Sequence, residues 1–225
     1  MIHFNIITLF PGSIKPYLES SILGRAMEKK LIKISYYDPM KYAVGKHKRV
    51  DQRPYGGGPG MILEPTAVLR ATDAALKKCQ GRSLTSKAVV LFFATDGEVF
   101  SEEMAKKQAK VTAGKTKHII FICGRYEGVD ARVQKILKAK KISVGPYVLT
   151  GGELPAATVV DAIARFVPGV LGKAESLEAS RVSSPEVYTR PEVLEWKGKK
   201  YRVPKVLLTG HHANIEEWKK KRRSK

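Results

Sequence analysis

Four short apolar runs constrain the fold of this chain most: Phe4 to Phe10, Ile32 to Tyr37, Ala88 to Phe93 and His118 to Cys123. Each reads as a strand buried on both faces. A turn signal and then a stretch with helical spacing follow each run, which predicts an α/β fold with a parallel sheet and crossover helices. The predicted helices are Ser13 to Lys30, Thr66 to Lys78, Glu102 to Val111, Asp130 to Lys138 and Pro155 to Phe166. In the last, Val159, Val160 and Ile163 share a face, and Pro155 suits a first helical position, where its missing N–H costs nothing.

The pattern changes after Phe166. Residues 168–184 are weakly periodic and rich in small or polar types, which fits a linker or mobile loop. A polar segment, Trp196 to Pro204, and a closing helix from about Asn214 follow, with Glu216 and Glu217 expected in that helix's first turn and Lys219 to Arg223 in its last. Residues 196–225 hold eleven Lys and Arg against two Glu, a net +9 out of +20 for the whole chain. An isolated charge run is usually a solvated face. Coupled to a globular domain and two tryptophans, it points to nucleic acid.

Other classes are disfavoured. Cys79 and Cys123, the only cysteines, lie far apart, so neither a disulfide framework nor a CxxC site is on offer. The five histidines form no HExxH pair. No apolar run approaches a membrane span and no secretory signal opens the chain, so a soluble, cytoplasmic protein without membrane association is expected.

Four glycine-rich patches remain: RPYGGGPG at 53–60, GRYEGVD at 124–130, GPYVLTGGELP at 145–155 and PGVLG at 168–172. None has the spacing of a dinucleotide fingerprint or a P-loop. One such patch is readily an ordinary tight turn. Three near the ends of predicted parallel strands suggest a small-molecule crevice, because α/β sheets bind ligands there.

These patches, with Leu9 to Pro11, Val50-Asp51, Arg165-Phe166, Tyr188 to Val193 and Val206 to His212, closely resemble the bacterial tRNA (guanine-N1)-methyltransferases that modify guanosine 37, members of the SPOUT superfamily. The matches run in the family's order from residue 1 to about 218. The resemblance implies a deep trefoil knot, S-adenosylmethionine as methyl donor, tRNA as substrate and an obligate homodimer. It implies a knotted α/β domain at 1–172, a flexible linker at 173–187 and a short, mainly helical, basic tRNA-binding segment at 188–225. By the same resemblance the cofactor contacts are Phe92, Phe93, Ala94 and Thr95, then Gly124, Tyr126, Glu127 and Gly128. Val144, Gly145, Pro146, Tyr147, Val148 and Leu149 follow, with Gly151, Gly152 and Pro155. Asp51, Arg53 and Tyr55 would lie near the target base, and Lys46, His47, Lys48, Arg49 and Arg190 would meet phosphates. No metal ligand is assigned, and the sequence does not call for magnesium.

Methylating guanine N1 requires its proton to leave and charge to be stabilised towards O6. Arg165 matches the family's catalytic arginine. The family's catalytic aspartate falls on Ser180, a poor base, in a linker about four residues shorter than usual. Glu178, two residues upstream, is the preferred substitute over Glu175. Proline at 146 and the ATDG run at 94–97 also depart from the family pattern, and relatives usually continue past the position of Lys225. The missing aspartate motivates an alternative reading, a tRNA-binding homologue without catalysis. Charge alone also permits a membrane-surface or DNA-binding module.

Overall fold

The computed structural model describes residues 1–45, 48–80, 88–110, 116–171 and 186–223. Two compact units divide the chain, Met1–Leu171 and Gly172–Lys225.

The first unit is built on five parallel strands, β1 (Ile2–Ile7), β2 (Ile32–Tyr37), β5 (Val89–Val99), β6 (Lys117–Ile122) and β7 (Lys140–Ser143), in the order β2-β1-β6-β5-β7. A two-stranded antiparallel pair, β3 (Asp51–Gln52) with β4 (Ile62–Leu63), stands apart from this sheet. Side chains alternate across a strand. Phe4, Ile6, Ile119 and Phe121 therefore join one core with α1 (Lys15–Leu18), α2 (Ser21–Glu28), α4 (Glu102–Ala109) and α6 (Glu153–Ala164). Ile7, Ile120 and Ile122 join the other, with α3 (Pro65–Gln80) and α5 (Ala131–Leu137). The unbroken apolar strands are thus explained: both sheet faces are covered.

Several elements differ from expectation, beginning with β1, which ends at Ile7 and not Phe10, and β5, which runs past Phe93 to Val99. The stretch 13–30 is not one helix but α1 and α2, because Ser20 is extended (ψ 169°) and Ser21 left-handed (φ 50°) between them. The helix expected from Pro155 begins at Glu153, which puts the proline at its third position, still ahead of the first obligatory helical N–H. The short edge strand β7 reads KKIS, with two exposed lysines, and has too little apolar content to register as a buried run.

Strand β5 leads to the site. Ile142 of β7 pairs with both Phe93 and Glu98 of β5, so residues 94–97 loop out between them. A Cβ on Gly97 would lie 2.6 Å from the Ile142 nitrogen, so only glycine permits this approach. Beyond β7 the chain returns to the end of β6, where the Gly152 N–H donates to the Gly124 carbonyl at 2.9 Å, and α6 starts there.

Among the described residues the second unit holds a hairpin, β8 (Val193–Trp196) with β9 (Lys199–Arg202), a short 3-10 helix, Lys205–Leu208, and the helix α7 (His212–Arg223). Part of the polar segment after Trp196 is therefore a strand, Lys199–Arg202, ahead of α7. The helix begins two residues before Asn214, which leaves no acidic residue in its first turn. Among the described residues, no helix is long and apolar enough to cross a membrane.

Candidate active site

A cavity of about 370 Å³ opens at the carboxyl ends of β5, β6 and β7, where parallel sheets expose ligand sites. Its size lies within the roughly 300–1,000 Å³ typical of small-molecule pockets. The residues that the resemblance assigned to the cofactor line it together: Phe92 to Thr95, Gly124, Tyr126 to Gly128, Val144 to Leu149, Gly151, Gly152 and Pro155. Pro146 is the exception: it does not line the cavity, although Gly145 and Tyr147 on either side of it do.

Much of the wall is main chain. A Cβ on Gly152 would sit 2.6 Å from the Cys123 Cα and 2.9 Å from the Gly124 nitrogen, so the crossing of these two segments admits no side chain. Gly128 has φ +125°, a region almost closed to other residues. Tyr126 is left-handed (φ 59°) and half-exposed at the cavity. A bulky residue in that conformation costs about 1–3 kcal/mol and persists mainly where a binding surface needs it.

Beneath the wall lies a network that the sequence reading passed over. Glu153, 2% exposed, accepts a 2.7 Å hydrogen bond from the Thr8 hydroxyl. It also meets the Arg125 Nε at 2.9 Å, an ionic contact without hydrogen-bond alignment. Arg125 donates to the Thr150 carbonyl at 3.3 Å and lies over the Phe10 ring at 4.7 Å. One buried carboxylate thus ties the end of β1, the 124–128 loop and the 147–152 loop. A Cβ on Gly151 would fall 2.5 Å from Arg125 Nε and 2.6 Å from Glu153 Oε2, so that glycine makes room for the pair. Arg125 stood inside the GRYEG run; the signal overlooked was a charged residue between glycines near the end of an apolar strand. Burial, then the Glu153 charge, push the Cys123 thiol well above its ordinary range, which leaves it protonated and not a nucleophile.

The first glycine patch reaches the rim. The Glu127 N–H donates to the Met61 carbonyl at 3.0 Å, and the Leu63 N–H to the Gly128 carbonyl at 3.0 Å. Asp51 lies on β3, Arg53 and Tyr55 are exposed in the 53–60 turn, and Lys48 and Arg49 are exposed just before β3. Arg190 is exposed in the second unit. Lys46, His47 and Glu178 lie outside the described residues.

Arg165 is not at this cavity. It caps the carboxyl end of α6 and lines a second cavity of about 230 Å³ with Tyr17, Ser20, Asp161 and Leu171. At about 1.5 Å per residue, the helix separates it from Gly152 by roughly 18–20 Å.

Comparison with known proteins gives this site a context. The chain is 44% identical to a tRNA (guanine-N(1)-)-methyltransferase of Myxococcus xanthus over 96% of its own length and 83% of that protein. It is 42% identical to the Staphylococcus haemolyticus enzyme of the same name over 95% and 82%. Identity to the Lachnoclostridium phytofermentans enzyme of that name is 37% over 97% and 85%. A sequence model of the family described as tRNA (Guanine-1)-methyltransferase TrmD matches residues 2–225, a span that takes in both units and every segment lining the cavity. This chain belongs to that family.

Proposed function

We propose that the protein is an S-adenosylmethionine-dependent tRNA (guanine-N1)-methyltransferase acting on guanosine 37. The observation that carries this reading is the cavity at the ends of β5, β6 and β7, walled by the glycine segments that resemble the family's cofactor site. The residues present fit the cofactor. Phe92, Phe93, Ile142, Val144 and Leu149 offer apolar surface for an adenine ring, while Gly124 and Gly152 bring main chain to the wall and Gly128 leaves open the space that a Cβ would fill. Bound there, S-adenosylmethionine supplies an electrophilic methyl group carried on a sulfonium.

The chain's own residues do the rest. Asp51, Arg53 and Tyr55 hold the target base at the rim, and Lys46, His47, Lys48, Arg49 and Arg190 meet phosphates. Glu178 takes the proton from guanine N1 as the new bond forms. Arg165 stabilises the charge that develops towards O6. The helix α6 carries the chain from the cavity wall at Gly152 to Arg165, about 18–20 Å along its axis, which supports a homodimer in which one copy's arginine serves the other's cavity. The return of the chain from β7 to the end of β6, packed so closely that Gly152 admits no side chain, supports the trefoil knot. The segmentation into a knotted domain, a linker at 173–187 and a tRNA-binding segment at 188–225, and a cytoplasmic setting, belong to the same reading. A binding protein without catalysis finds no support among the relatives, which are named as methyltransferases.

The test is transfer of labelled methyl from S-adenosylmethionine to tRNA carrying guanosine or adenosine at position 37. Product with guanosine alone is expected. Product with both would overturn the specificity, and product with neither would overturn the reaction.

A further inference from the structure

The two tryptophans of the second unit stand in different settings. Trp218 is half-buried on α7, with the Tyr188 ring 6.3 Å away and the Arg222 guanidinium over its face at 5.6 Å. Arg222 and Tyr188 both reach Glu186, at 3.0 and 3.1 Å, so this cluster fastens the entering chain to the helix. Trp196, on the hairpin, is 63% exposed.

The hairpin turns through Lys197 and Gly198, with φ +49° and +73°. That tight two-residue turn matches the twist of the strands and fixes the register. Trp196 faces Lys199, and Leu194 faces Tyr201. Alternation then puts these four on one face, with Trp196 and Tyr201 as diagonal neighbours about 7–8 Å apart. Leu194 and Tyr201 are each 53% exposed. The opposite face carries Val193, Glu195, Lys200 and Arg202, and its carboxylate is engaged by Lys200 at 2.9 Å. The aromatic face therefore carries a lysine between its rings and no acid, with Lys197 at the tip.

We propose that this hairpin face is a stacking platform for unpaired nucleotides of the RNA substrate, an inference that rests on the tRNA reading above. Exposed rings on a sheet offer flat surface to any base whose own faces are uncovered, and neighbouring cations meet its phosphates. A duplex buries its base faces in the stack and offers only edges and phosphates, so it gives the rings nothing to stack on. A protein partner fits less well, because lysine is depleted at the centre of protein interfaces.

Direct titration of the full chain with a single-stranded RNA, and with the same strand in a duplex, tests this independently of methyl transfer. With Trp218→Phe, Trp196 is the only indole in the chain, and its emission should be quenched by the single strand. Trp196→Ala and Tyr201→Ala should each weaken single-strand binding about five- to a hundred-fold with the salt slope unchanged. Lys199→Gln should lower that slope. In methyl transfer, Trp196→Ala should raise KM for tRNA and leave kcat, with Trp196→Phe restoring most of the loss. Unquenched emission, equal affinity in Trp196→Ala, or tighter binding of the duplex would overturn the platform, as would self-association that Trp196→Ala abolishes. An active enzyme whose KM ignores Trp196→Ala sinks the platform and leaves the function standing. Quenching and weakened binding without methyl transfer to any tRNA would do the reverse.

Discussion

The two units solve recognition with opposite materials. Residues 1–171 line their cavity largely with main chain and apolar side chains, held from below by one buried carboxylate. Residues 186–223 place exposed rings and cations on a hairpin and a basic helix. The difference follows from the ligands proposed for them. A small molecule of fixed shape is held best by walls that cannot move, whereas a long polyanion is met by charge and flat surface that tolerate many arrangements. Substitutions in the first unit should act nearly all-or-none, and those in the second by degrees.

Gly152→Val is the severest test of that contrast. Its side chain would enter the Cys123–Gly124 backbone, so the destabilisation should reach or exceed the roughly 1–3 kcal/mol usual for overpacking. Calorimetry should record no binding of S-adenosylmethionine. Both tryptophans lie in the second unit, so their emission should stay as in the parent. Retained cofactor affinity would show that the crossing is looser than the geometry requires.

Glu178→Gln addresses chemistry. If Glu178 is the base, transfer should fall by about a hundred- to ten-thousand-fold with cofactor affinity kept. Glu175→Gln, which removes the same charge nearby, is the control. Equal loss in both would mean that charge in this segment, and not a positioned base, matters.

Acid should separate the units. His3 is buried with its Nε2 2.8 Å from the Ser35 hydroxyl and its ring 5.2 Å from that of His118. Burial first, then the charges of His118, Lys33 and Lys78, lower its pKa to about 4. His118 is lowered too, by burial and then Lys33. Unfolded, both titrate near 6.5. The folded form is therefore favoured in full above pH 6.5, and that advantage drains away as pH falls towards 4, by about 3 kcal/mol from His3. Thermal unfolding monitored between pH 7 and 4 should show this slope, and His3→Gln should flatten it. A slope unaltered by that change would place the acid sensitivity elsewhere.

The mildest effect belongs to the tail. Deleting residues 219–225 should weaken binding to all tRNAs and reduce the salt slope by about 1–3, without changing preference for the target base. The reduction should be smaller than six lost cations suggest, because Lys221 and Arg222 are already paired with Glu217 and Glu186 at 2.7 and 3.0 Å. An unchanged slope would make the tail a solvated surface.

What the sequence revealed divides along similar lines. The central strands were legible because burial on both faces leaves continuous apolar runs, and β2 spans the stretch anticipated, Ile32–Tyr37. The glycine patches announced the cavity, since close backbone approach leaves glycine as its trace. Strand β7 was not legible: an edge of four residues with two lysines has no period to detect. The break at Ser20 and Ser21 turns on two dihedral angles that the apolar spacing around them does not register. The Thr8–Glu153–Arg125 network joins residues more than a hundred positions apart, and only the fold brings them together. The hairpin turned on Lys197-Gly198, a weak turn signal inside a segment whose polarity masked its alternation.

The glycine-walled cavity has a bearing on inhibition. A competitor lodged there would press mostly against peptide bonds, which point mutation cannot alter in shape. Changes that could exclude it by bulk, at Gly151 or Gly152, would collide with Arg125, Glu153 or the Cys123 backbone before reaching the drug. Resistance would have to arise from exposed side chains at the cavity such as Tyr126 and Tyr147, or from higher enzyme abundance. Escape routes are few where a binding site and its scaffold are the same atoms.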